Sequence, residues 1–220
     1  MLLACGLSVQ LAYPRLNPQW IAFHKGERAF AEKDFPLAAR EYQQALDLGA
    51  RTPEAMIRLG ESYLAAGRLE QARLVLRDMT GKRSLPPGEI PNLAGLYDRL
   101  GEPRLALGLY RDLEGRRPLS FDELLHRADL LRHSQDFAQA EDAYRQALAF
   151  RPGSEPVLRR LGEMLSWQKR YQEAQDLLEQ AVAARPAEAQ ARLRLARVLS
   201  WQGKNREAIR QYRLALGEKP

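Results

Sequence analysis

The chain has 220 residues, of which 45% are apolar and 28% are charged, and its formal net charge is +6. This apolar fraction is typical of a folded protein and excludes wholesale disorder. The single cysteine, Cys5, excludes an intramolecular disulfide, and no Cys/His cluster has the spacing of a zinc site. The excess charge lies in residues 189–220, which carry eight Lys or Arg and two Asp or Glu. This uneven distribution argues against a protein that coats nucleic acid.

The N-terminal residues 2–13, LLACGLSVQLAY, are mostly apolar and end before Pro14. As a helix they would span about 18 Å, short of the roughly 30 Å of a bilayer core, and they lack a preceding basic region. We therefore assign residues 1–18 to a separate apolar segment. It is either the remnant of a signal peptide or membrane anchor that starts upstream, or a flap that packs on the following domain. In a third interpretation residues 2–5 resemble a bacterial lipoprotein box, although only four residues precede Cys5.

From residue 19 onwards the sequence repeats every 34 residues. YQQAL at 42–46 returns as YRQAL at 144–148 and YRLAL at 212–216, and LSWQ occurs at 165–168 and 199–202. A small residue occupies position 8 of every repeat, Ala occupies position 20, and Tyr or Leu occupies position 24. Six repeats therefore begin, without any insertion, at residues 19, 53, 87, 121, 155 and 189.

Each repeat is predicted to form two helices. The small residues at positions 8 and 20 let the helices approach closely, and the large residue at position 24 fills the space between repeats. Proline at position 32 stops the second helix in four repeats. Repeat 3 departs from this pattern, because Gly88, Pro91 and Gly95 fall in its first helix. We expect that helix to start late and to be the least stable helix of the array.

These positions match the tetratricopeptide repeat (TPR), and the chain resembles that family over residues 19–220. The resemblance implies an all-α fold, namely a right-handed α-solenoid of six 34-residue helix pairs with a concave groove lined mostly by first helices. Motifs of hydrolases, P-loop proteins, zincins and dinucleotide-binding proteins are absent from the sequence. We therefore predict a non-enzymatic scaffold with no catalytic residue, metal site or cofactor.

The positions that line the groove in this family differ along the chain. In repeats 1 and 2 they are mostly apolar with a few acidic residues. In repeats 4–6 they are mostly basic and include two tryptophans one repeat apart. Arginine supplies charge-assisted hydrogen bonds and tryptophan supplies rigid contact area, so we predict that repeats 4–6 bind an acidic or carboxylate-bearing protein segment. The alternative is a solvated arginine face with tryptophans packed between repeats. The predicted binding residues are Arg132, His133, Arg159, Arg160, Trp167, Arg194, Arg197 and Trp201.

The second helix of repeat 6 is predicted to expose an apolar edge formed by Ile209, Tyr212 and Leu216. Solenoids normally end in a polar capping helix, and no such helix follows here. We expect either that the natural chain continues or that this edge docks on another chain, and we favour continuation.

A narrower resemblance comes from ARVLSWQGKNREA at 196–208, which is similar to repeats of periplasmic TPR scaffolds in bacterial exopolysaccharide export, of the cellulose, poly-N-acetylglucosamine and Pel type. It implies a periplasmic scaffold that recruits polymer-modifying enzymes or a membrane complex. The apolar N-terminal segment suits an inner-membrane anchor for such a protein, and the charge distribution argues against a nucleic-acid partner. One alternative is a general membrane-anchored TPR adaptor for lipopolysaccharide or outer-membrane protein assembly. Another is a module that binds polyanions or carbohydrates directly through Trp167, Trp201 and the arginines.

Overall fold

The computed structural model describes residues 17–77, 79 and 85–218. In this part of the chain it contains twelve α-helices and no β-strand. All but the last two residues of the apolar segment assigned to 1–18 lie outside the described residues. Within them, no helix has the combined length and apolar character that crossing a membrane requires.

The twelve helices form six consecutive pairs, one pair in each repeat, which confirms the predicted all-α solenoid of TPR helix pairs. Every first helix begins near the start of its repeat, and a short turn leads to the second helix. The pairs are α1 (Pro18–Ala31) and α2 (Phe35–Asp47), α3 (Pro53–Ala65) and α4 (Leu69–Arg77), α5 (Ile90–Arg99) and α6 (Pro103–Glu114), α7 (Phe121–His133) and α8 (Phe137–Phe150), α9 (Glu155–Trp167) and α10 (Tyr171–Ala184), and α11 (Ala189–Trp201) and α12 (Asn205–Ala215).

Local signals in the sequence account for many of the helix starts. The side chains of Asp34 and Thr52 accept hydrogen bonds from backbone N–H groups in the first turns of α2 and α3. At the start of α7, Ser120 and Glu123 form a reciprocal capping box. Helix α5 begins only at Ile90, three residues into repeat 3, as its glycine and proline content predicts.

The turn inside each repeat places position 15 in the left-handed region of backbone conformation. Glycine occupies this position in three repeats, with φ between +74° and +76°. In the other three it is Lys33, Gln135 or Lys169, with φ of +62° or +63°. The same backbone turn thus recurs six times. In half of its copies the left-handed position is occupied by a residue with a Cβ, for which this backbone conformation is unfavourable.

Two compact units make up the chain, an N-terminal half that ends at Arg117 and a C-terminal half that starts at Pro118. In each half the residues at positions 20 and 24 lie in the core. Every position-20 alanine is at most 2% exposed, and the position-24 side chains of repeats 1–5 are at most 1% exposed. Within each half the core therefore lies between the helices of one repeat and between neighbouring repeats.

The small residue at position 8 lets the first helix of a repeat lie against the large side chain at position 24. A Cβ added to Gly26 would lie 2.7 Å from the ring of Tyr42, and one added to Gly60 would lie 2.6 Å from a methyl of Leu76. At Gly162 the added atom would lie 2.8 Å from Leu178. These distances are too short for a side chain, so glycine sets the close approach of the two helices.

Candidate protein-interaction surface

Asp129 in α7 is the centre of a hydrogen-bonded cluster at the junction of repeats 4 and 5. The hydroxyl of Tyr144 in α8 donates to its Oδ1 at 2.6 Å, and the guanidinium of Arg160 in α9 donates to its Oδ2. Arg132 donates from Nε to the hydroxyl oxygen of Tyr144 at 3.1 Å. Burial, together with the charge of Asp129 and the hydrogen bond to it, raises the pKa of Tyr144 above its usual range. The cluster thus joins two repeats through one shared carboxylate.

The same arrangement joins repeats 1 and 2. The hydroxyl of Tyr42 donates to Glu27 in α1, and Nε of Arg58 in α3 lies 3.1 Å from Oε1 of that carboxylate. Desolvation of Tyr42 and its hydrogen bond to Glu27 raise the tyrosine's pKa well above its usual range. Glu27 and Asp129 both occupy position 9, and their arginine partners both occupy position 6 of the next repeat.

A third pair joins repeats 5 and 6, where Nε of Arg194 lies 2.8 Å from Oε1 of Glu163. The N–H bond of this Nε is not directed at an acceptor among the described residues, so the contact is an ion pair without an aligned hydrogen bond. Repeat 5 has Leu178 instead of tyrosine at position 24. We refer to these three contacts between position 9 and position 6 as the inter-repeat ion pairs.

Most of the predicted binding arginines are therefore engaged with groups of the chain itself. Arg160 and Arg194 belong to inter-repeat ion pairs, and Arg159 donates from Nε to Glu155 of its own helix at 2.8 Å. Of the predicted arginines, only Arg197 is exposed and has no ion pair or hydrogen bond through its side chain among the described residues. His133 lies at the exposed end of α7, with Nε2 2.9 Å from a guanidinium nitrogen of Arg132. The role of His133 and of the predicted arginines in binding a partner stays a prediction.

The two predicted tryptophans each pack on the preceding repeat with one part of the ring and face solvent with the rest. Trp167 is 45% exposed and Trp201 is 47% exposed. The ring centroid of Trp167 lies 6.4 Å from that of Phe137, and the centroid of Trp201 lies 5.8 Å from that of Tyr171. The guanidinium carbon of Arg132 lies 5.5 Å from the centre of the Trp167 ring. Such half-exposed, laterally supported indoles offer rigid contact area to a partner.

The apolar edge of the last repeat is exposed in the structure. Ile209 is 54%, Tyr212 is 38% and Leu216 is 74% exposed. In repeats 4 and 5 the residues equivalent to Tyr212 are Tyr144 and Leu178, and both are fully buried. The difference arises because a following repeat covers position 24 in the earlier cases.

The acidic members of the inter-repeat ion pairs are the residues that sequence reasoning missed. Glu27, Asp129 and Glu163 were visible as acidic groove positions, but the partner of each lies in another repeat. The available signal was the opposite charge found 31 residues later in all three cases. A further contact of the same kind joins the second helix of repeat 4 to the turn of repeat 5, where Arg170 donates to Glu141 at 2.6 and 3.1 Å.

Within the described residues, no group of three or more His, Cys, Asp or Glu side chains has an arrangement that would hold a metal ion. The stacked helix pairs and their groove define a helical-repeat scaffold. One sequence model of the tetratricopeptide repeat matches residues 24–86 and 92–155, and a second matches residues 167–220. Because the first model alone covers more than half of the chain, the chain belongs to the tetratricopeptide repeat family. Its function is that of a scaffold for protein–protein interaction, and this fold is typically non-enzymatic.

Solved structures share this fold. A tetratricopeptide repeat protein from Parabacteroides merdae is 19% identical and superposes with a TM-score of 0.73, over 92% of this chain and 80% of that one. The C-terminal part of a TPR protein from Cytophaga hutchinsonii is 15% identical, with a TM-score of 0.71 over 89% and 78%. MamA from Desulfovibrio magneticus is 14% identical, with a TM-score of 0.65 over 75% and 93%. No curated protein matches the sequence significantly. At these identities the likeness concerns the fold.

Proposed function

We propose that the chain is a periplasmic TPR scaffold of bacterial exopolysaccharide secretion or envelope assembly, anchored to the inner membrane through its N-terminus. In this role it holds protein partners, such as polymer-modifying enzymes or a membrane complex, through its C-terminal half. The proposal is supported by the similarity of residues 196–208 to repeats of export scaffolds. The exposed tryptophans support a binding surface on repeats 5 and 6.

The observation that carries this proposal is the repetition of a half-exposed indole at the same position of repeats 5 and 6. Trp167 and Trp201 keep 45% and 47% of their surface exposed, although each is held by an aromatic ring of the preceding repeat. Tryptophan in a rigid setting is the residue type most enriched among those that dominate binding energy at protein interfaces. The two indoles therefore form a surface suited to a partner that spans two repeats.

Exposed arginines of repeat 6 support an acidic partner. Arg197 is exposed on the same helix as Trp201, and Arg206 and Arg210 are exposed on α12. None of the three has an ion pair within the described residues, so their charges are available to a partner. Attraction between these cations and an acidic segment increases the association rate and weakens as salt is added.

The test is site-specific photo-crosslinking in a bacterium that secretes exopolysaccharide. A photoreactive residue replaces Trp167 or Trp201, and a matched control replaces Phe150, an aromatic residue of the same half that is 60% exposed. We expect the first two positions, but not the control, to capture a protein of the secretion apparatus. We also expect Trp167→Ala with Trp201→Ala to reduce the amount of secreted polymer. Capture of a lipopolysaccharide or outer-membrane assembly protein would instead support the general adaptor.

A second candidate function is direct binding of carbohydrate or another polyanion. The observation that favours it is the exposed Trp201, because an indole one helical turn from the exposed Arg197 suits the C–H face of a sugar ring that carries acid groups. Titration of the purified chain with an acidic oligosaccharide, followed by tryptophan fluorescence, tests it. Saturable quenching that is lost in Trp201→Ala supports this candidate, and the absence of quenching leaves the protein-binding proposal alone.

A further inference from the structure

The junction of repeats 2 and 3 lacks the arginine that completes an inter-repeat ion pair. Glu61 in α3 occupies position 9, as Glu27 and Asp129 do in their repeats. The residue 31 positions later is Asn92, whose amide nitrogen lies 3.3 Å from Oε2 of Glu89 in its own helix turn. Glu61 therefore receives no cation from the following repeat.

A cleft of about 450 Å³ occupies this junction, between α3 and α5. Its lining includes the buried side chains of Ile57 and Leu96, and Glu54, Glu61 and Glu89 supply carboxylates. The cleft is open partly because position 9 of repeat 3 is Gly95. A Cβ built on this glycine would have no neighbour within 4 Å. Arg58 and Arg99 also line the cleft, so its three carboxylates exceed its cations by one, and the junction offers both unfilled space and a net negative charge.

The carboxylate of Glu61 is only partly satisfied. A guanidinium nitrogen of Arg58 donates to Oε2 at 3.1 Å, while Oε1 accepts no hydrogen bond from any residue that the structure describes. Arg58 also forms an ion pair with Glu27 of the preceding repeat, so one guanidinium serves two carboxylates. Asp129 at the equivalent position is instead bonded by both Tyr144 and Arg160. Glu61 can therefore accept another cationic donor.

We infer that the repeat 2–3 cleft binds an arginine side chain presented by a protein partner, which takes the place that Arg160 takes at the junction of repeats 4 and 5. The chain itself shows that guanidinium is the group that fits between positions 9 and 6, because three junctions contain it. A guanidinium can donate to Glu61 and to a second carboxylate at once, because its five N–H donors form a planar fork. Arg99, one turn beyond position 9 of α5, disfavours a second basic residue on that side.

This inference concerns the N-terminal half and does not rest on the proposed function. The test is an NMR titration of the full chain with an acetylated and amidated peptide, Gly-Ser-Gly-Arg-Gly-Ser-Gly, at low salt. The reporters are the backbone amide of Gly95 and the side-chain amide of Asn92. We expect saturable shifts at both. The peptide with citrulline, which has the shape of arginine without its charge, should bind about ten-fold more weakly.

Two variants and a matched control locate the site. Asn92→Arg supplies the missing partner from within the chain and should abolish the shift at Gly95, whereas Asn92→Gln, which keeps an amide, should leave it. Glu61→Gln should weaken binding about ten-fold and decides the question if Asn92→Arg does not fold. Equal binding of the arginine and citrulline peptides, or unchanged affinity in Glu61→Gln, would overturn the inference. Trp167→Ala with Trp201→Ala should not alter the peptide affinity, which separates this site from the proposed tryptophan surface.

Discussion

The junction of repeats 4 and 5 and the junction of repeats 2 and 3 are built from equivalent helices, but they differ in the residue that faces the acidic position 9. At the first, Arg160 reaches Asp129, and Tyr144 bonds the same carboxylate. At the second, Asn92 replaces the arginine, and a cleft of about 450 Å³ remains. Position 9 is acidic at both junctions, so the comparison shows that the residue at position 6 of the next repeat decides whether the chain itself supplies the cation or leaves a cleft.

The largest expected effect comes from removing the shared carboxylate. Asp129→Ala should lower the free energy of unfolding by about 2–3 kcal/mol, because it leaves Tyr144, Arg160 and Arg132 without their common acceptor. Glu61→Ala should cost less than about 1 kcal/mol, because its ion pair with Arg58 lies within one helix and is partly solvated. Urea denaturation of both variants checks the difference. Equal losses would show that the two junctions are energetically alike.

Glycine substitutions should distinguish, by the sign of their effect, the packed interior of repeat 5 from the open junction of repeats 2 and 3. Gly162→Ala should destabilise the protein by about 1–2 kcal/mol, because the added Cβ lies 2.8 Å from Leu178 and 3.2 Å from the backbone oxygen of Ala174. Gly95→Ala should stabilise it by about 0.5–1 kcal/mol, because alanine favours the helix and the cleft leaves room. Thermal unfolding of both variants is the measurement. A destabilised Gly95→Ala would mean that the cleft is not open.

The tyrosine of the filled junction predicts a dependence of stability on alkaline pH. At neutral pH, Tyr144→Phe should cost about 1 kcal/mol through the lost hydrogen bond to Asp129. Because the folded state raises the pKa of Tyr144, the unfolded chain loses this proton first, near pH 10, and the wild type loses stability as the pH rises further. The cost of Tyr144→Phe should therefore shrink above about pH 10. Denaturation at pH 8 and at pH 10.5 tests this, and a cost that grows with pH would contradict it.

The smallest effects distinguish paired from unpaired arginines within α11. Arg194→Ala should cost about 1 kcal/mol, because it removes the ion pair with Glu163 between repeats. Arg197→Ala should change the free energy of unfolding by less than about 0.5 kcal/mol, because its exposed side chain has no ion pair among the described residues. The same denaturation assay compares them. A loss in Arg197→Ala as large as that in Arg194→Ala would reveal a structural role for Arg197.

Much of the fold follows from the sequence because core positions recur with a fixed period. The alanines at position 20 and the large side chains at position 24 are buried in repeats 1–5, where the 34-residue spacing places them. The late start of α5 follows from the prolines and glycines of repeat 3. The left-handed conformation of Lys33, Gln135 and Lys169 was not predicted, since the geometry of the turn overrides the preference of each residue.

The groove was harder to predict because its contacts join different repeats. Considered one repeat at a time, Arg160 and Arg194 are candidate ligands for an acidic partner. Once the repeats stack, each of them lies against a carboxylate of the preceding repeat. Burial and the competition between internal and external partners depend on the angle between neighbouring helices, which the period alone does not give.

The constant spacing of the inter-repeat ion pairs bears on how such an array can change its length. The partner of Asp129 is defined by its place in the next repeat, so loss of residues 155–188 would bring Arg194 to the place of Arg160. Glu163 would leave with its own repeat, and no buried charge would be stranded by the excision. Gain or loss of a whole repeat therefore keeps the partners of these ion pairs matched at this point of the chain. An insertion or deletion of even one residue between two partners would instead separate them.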